Sequence, residues 1–70
     1  MDANEIIRQL RAAGHTCGDI YMNGKGQLCV VVDDVAMFQP DACDLLRNRA
    51  TLNEIIERNK GKDLGWTSSG

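Results

Sequence analysis

The chain is poor in most of what marks a catalytic or cofactor site. Its 70 residues include one histidine, one proline, one tryptophan, one tyrosine and one phenylalanine. No apolar run nears the roughly 18 residues of a membrane span. The opening Met1-Asp2-Ala3-Asn4-Glu5 is acidic and lacks the basic start and continuous apolar stretch of a secretory leader. Three cysteines are an odd number, whereas a secreted disulfide framework usually has an even one. These absences predict a cytoplasmic chain with reduced thiols and no membrane-spanning segment. Net charge is only −2, so no electrostatic excess draws the whole chain to nucleic acid or to anionic lipid.

The polar residues that remain do not assemble into known chemistry. His15, Cys17, Cys29 and Cys43 are four soft ligands in number, but structural zinc sites gather theirs in close pairs, and only His15 and Cys17 are close. A nucleophilic cysteine needs a base and an orienting group, and His15 next to Cys17 has no evident third partner. Asp33-Asp34 and Asp41 with Asp44 lack the alternating oxygen ligands around a glycine that make a calcium loop. Gly24-Lys25-Gly26 lacks the Gly-x4-Gly-Lys-Ser/Thr spacing of a Walker loop and joins two strands, not a strand to a helix. The expectation is therefore no enzyme, no metal, no cofactor and no small-molecule substrate.

What is present is a well-punctuated α+β pattern. Asp2 caps a helix over 3–13, with Glu5 three residues on and Ala3, Ile6, Ile7, Leu10 and Ala13 on one face. Gly14 ends it. Residues 19–22 and 27–32 are β-prone runs flanking Asn23-Gly24-Lys25-Gly26, the signal of an antiparallel hairpin. Val35–Phe38 reads either as a third short strand or as an apolar link. Pro40 suits a first helical turn, and Ala42, Leu45, Leu46 and Ala50 suit one face. Thr51 and Glu54 form a capping box, which argues for a second helix with Leu52, Ile55 and Ile56 inward. With neither Gly nor Pro at 48–50, one continuous helix over 40–59 is the alternative. Residues 1–60 are expected to form a single small domain, with 61–70 as a flexible tail.

Two surfaces invite a binding role. Leu28, Val30 and Val32 alternate with Cys29 and Val31, so this strand is apolar on both faces and asks to be covered on both. Tyr21 falls on the face of Cys29 and Val31, and with Trp66 these residues form the expected protein interface. A domain this short builds little core, which favours a partner or a homodimer. The leading expectation is a protein-binding adaptor, regulator or inhibitor, as in short accessory proteins of mobile elements or phages by analogy of size alone. The alternative is a DNA-binding regulator using the Pro40–Asn59 helices through Arg47, Arg49 and Arg58. Residues 46–62 hold five cations against two glutamates, a local charge of +3.

Overall fold

In the computed structural model, which describes residues 2–64, helix α1 spans Ala3–Ala12. Asp2 accepts the Glu5 N–H at 2.9 Å, and Ala3, Ile6, Ile7 and Leu10 are buried. Ala13, assigned to that face from its spacing, is instead the exposed C-cap. Gly14 takes φ +101°. Its N–H returns to Arg11 O and that of His15 to Leu10 O, so two otherwise orphaned carbonyls are satisfied in a Schellman motif.

Strands β1 (Cys17–Met22), β2 (Leu28–Val32) and β3 (Val35–Phe38) form one antiparallel sheet in the order β1-β2-β3. β1 starts two residues earlier than its apolar run suggests, because Cys17 pairs with Val32 across an irregularity between Cys17 and Ile20. A bulge of this kind on an edge strand twists it and discourages pairing with another chain. Val35–Phe38 is the third strand. It is joined to β2 by Asp33-Asp34, whose φ values of +50° and +66° are those of a two-residue hairpin turn with both centres left-handed.

Two helices follow, α2 (Gln39–Leu46) and α3 (Leu52–Arg58), so the continuous-helix alternative fails. The break is Asn48, at φ +58°. Its N–H bonds to Leu45 O and that of Arg49 to Asp44 O, a second Schellman motif with asparagine in the position glycine holds after α1. Thr51 then caps α3 reciprocally with Glu54, at 3.2 and 2.9 Å. Thr51→Ala should therefore cost about 1 kcal/mol in urea denaturation. Asn48→Gly should be neutral or slightly stabilising, because glycine enters the left-handed region without penalty. A larger loss from Asn48→Gly than from Thr51→Ala would contradict this boundary.

All three helices pack on one face of the sheet. Ile6, Ile7 and Leu10 of α1, Ala42 and Leu45 of α2 and Ile55 of α3 meet Val30, Val32 and Met37, with Ala50 completing the cluster. Ile56, placed inward by its spacing, is 41% exposed, while Ile55 is fully buried and Leu52 packs against the core beside it. No helix among the described residues is long and apolar enough to cross a membrane.

Candidate functional site

Register puts Tyr21 opposite Cys29, Cys29 opposite Phe38, and Val31 opposite Ala36. Directly paired residues share a face, so Tyr21, Cys29, Phe38, Val31 and Ala36 line the side of the sheet away from the helices. This is the face the alternation in β2 marks as surplus to the core. Cys29 is fully buried there, while Tyr21, Val31, Ala36 and Phe38 are half-buried.

Part of the cover comes from residues 61–64, which return over the hairpin end of the sheet. Tyr21 Oη donates to Leu64 O. Asn23 is the hub of this return. Its Oδ1 accepts the N–H groups of Lys25 and Gln27, and its Nδ2 donates to Gln27 Oε1 and to Asp63 O. Asp63 Oδ2 in turn accepts the Gly24 N–H at 3.2 Å. Burial raises the Cys29 thiol above its ordinary range, and the Asp63 carboxylate pushes the same way. Cys29 thus behaves as a small hydrophobe, and the accessible part of the face is a shallow groove of about 420 Å³ lined by Gly18, Asp19, Tyr21 and Val31. Gly18 and Asp19 were missing from the sequence reading, because the bulge that brings them beside Val31 has no local signature. Trp66, expected at this interface, lies outside the described residues.

The arginines of the nucleic-acid alternative are not equivalent. Arg47 and Arg49 are exposed at the α2–α3 connection. Arg58 Nη1 is 3.1 Å from Asp41 Oδ1 and 3.2 Å from Asp44 Oδ2, so much of its charge is already met within the chain. Asp41 is itself 5% exposed and also accepts from Phe38 N–H and Asn59 Nδ2. These contacts tie the start of α2 to the end of α3, and they give Asp41 and Asp44 a structural task.

His15 turns to the hairpin turn rather than to a thiol. Its Nδ1 donates to Asp33 Oδ2 at 2.7 Å, because an ionised carboxylate can only accept. Asp33 Oδ1 accepts the Thr16 N–H and hydroxyl. The His15 bond, then the Thr16 N–H, hold the Asp33 carboxyl below its ordinary pKa of 3.8. Cys17 is raised by burial, against the opposing pull of Arg11, and its thiol points at Ile7 O, 3.9 Å away. The cluster therefore braces the left-handed turn against the loop after α1.

A carboxylate depressed in the folded state contributes stability above its unfolded pKa and loses it as pH falls through the folded one. Asp33→Asn should accordingly lower stability by about 1 kcal/mol at neutral pH. Its gap to the parent should close below about pH 4. Urea midpoints taken across that range test this, and a gap independent of pH would refute it.

Gly24, Lys25 and Gly26 all spend their N–H groups inside the chain, on Asp63 Oδ2, Asn23 Oδ1 and Asn23 O. Among the described residues, no three of His, Cys, Asp and Glu converge as a metal site would require. Comparison with protein-family models, with curated proteins and with solved structures finds no match to this chain.

Proposed function

We propose that this chain is a non-enzymatic protein-binding module, an adaptor, regulator or inhibitor, that works by laying the helix-free face of its sheet against a partner. A second copy of the chain is the first partner to consider. The observation that supports the reading is the one-sidedness of the fold: α1, α2 and α3 all serve the face of Val30, Val32 and Met37. The opposite face keeps Val31, Ala36 and Tyr21 only half-buried around an open groove. Burying such side chains is worth roughly 25 cal/mol per Å², which matters to a domain with so small a core.

Val31→Lys is the direct test. A charge set in the groove should abolish self-association in sedimentation velocity, or capture of a protein partner that survives nuclease. The dispersion of the amide spectrum should stay intact. If Val31→Lys unfolds a chain that is already monomeric, the face belongs to the fold and the proposal falls. DNA binding through Arg47 and Arg49 is the weaker reading, since Arg58 is engaged by Asp41 and Asp44.

A further inference from the structure

At the other end of the sheet, a cleft of about 860 Å³ opens between the β1–β2 hairpin tip, the start of α2 and the turn after α3. Its volume falls in the range of real binding sites. Leu28, Phe38 and Pro40 contribute apolar surface, while Lys25, Arg58 and Lys62 line it as cations. The two carboxylates in its wall already accept protein N–H groups. Asp41 accepts from Phe38, Arg58 and Asn59, and Asp63 from Gly24. Lys25 and Lys62, by contrast, enter no ion pair among the described residues. Arg58 meets both its aspartates through Nη1 alone, in a group with five donors.

We infer that this cleft binds an acidic peptide segment, with one aromatic or aliphatic side chain on Phe38, Leu28 and Pro40 and flanking carboxylates at Lys25 and Lys62. Two observations favour this occupant over others. Lys25, Arg58 and Lys62 outnumber Asp41 and Asp63 in its lining, so the cleft is net positive in a chain of net −2. Its apolar lining holds a single aromatic ring, which suits a side chain better than a row of stacked bases. The site is separate from the Gly18–Val31 groove and stands whether or not that face is used.

The test is an amide-resolved NMR titration of the full chain with a short synthetic peptide of glutamates flanking one tryptophan. A matched peptide of lysines flanking tryptophan and an oligo-dT strand serve as comparisons. The expected result is saturable, sub-millimolar binding of the glutamate peptide, with shifts centred on Lys25, Gln27, Phe38 and Lys62. Affinity should fall with added salt. It should fall about tenfold or more in the Lys25→Glu, Lys62→Glu double variant, because each reversal replaces an attraction by a repulsion. Both lysines are exposed, so the variant should keep the parent spectrum elsewhere. The inference is overturned by absence of saturable binding, by equal or tighter binding of the lysine peptide or of oligo-dT, by shifts centred on Tyr21 and Val31, or by a double variant that binds as the parent does.

Discussion

Val30→Lys is expected to unfold the chain, whereas Val31→Lys, one residue on, is expected to leave it folded. Val30 is 2% exposed and sits opposite Met37 in the helix-covered core. No carboxylate belongs to that cluster, so an ammonium there would be both desolvated and unpaired, at a cost of several kcal/mol. A domain of this size has about 4–10 kcal/mol to lose, by the usual stability per residue. Val31 points to the opposite face, where the groove is open and a lysine stem can reach water. Circular dichroism and urea titration of the two variants side by side check the contrast. Equal damage at both positions would mean that the outer face is as closed as the inner one.

Asp41→Ala should be the most costly loss of a polar side chain, at about 3 kcal/mol. The carboxylate receives Phe38 N–H at 3.2 Å, Arg58 Nη1 at 3.1 Å and Asn59 Nδ2 at 2.8 Å. Removing it strands the amide of Asn59, which is only 4% exposed, and releases the guanidinium that also reaches Asp44. The change also removes the acidic residue from the first turn of α2. Asp41→Asn keeps the shape but only one of the two acceptor oxygens and turns an NH2 group toward a donor, so it should cost about 2 kcal/mol, a little less than alanine. A double-mutant cycle with Asn59→Ala should show coupling of about 1 kcal/mol or more. Additive losses would mean that the two ends of α2 and α3 are held by packing alone.

The α+β class, α1, the hairpin and the inward Val30 and Val32 were legible in the sequence, because period and caps are local properties, whereas Leu28, expected inward with them, is half-buried at the cleft instead. The break at Asn48 was harder to see. Asparagine is the residue after glycine that most readily accepts a left-handed φ, so the signal was present, but its use depends on Arg49 N–H finding Asp44 O. Asp41 and Asp44 read as ordinary acids of a helix start. That Asp41 is buried against Arg58 and Asn59, 17 and 18 residues on, depends on how α2 and α3 pack side by side. Asn23 likewise reads as a turn residue, and its bond to Asp63 O spans 40 positions.

The amino-acid sequence by itself determined the caps of α1 and α3, the β1–β2 hairpin, and which strand is apolar on both sides. Those properties follow from backbone preference and alternation over a few residues. Only the tertiary structure decided that all helices gather on one face, that residues 61–64 return across Tyr21 and Asn23, and that Lys25 meets Lys62 around one cleft. Such neighbours lie tens of residues apart, and packing alone brings them together.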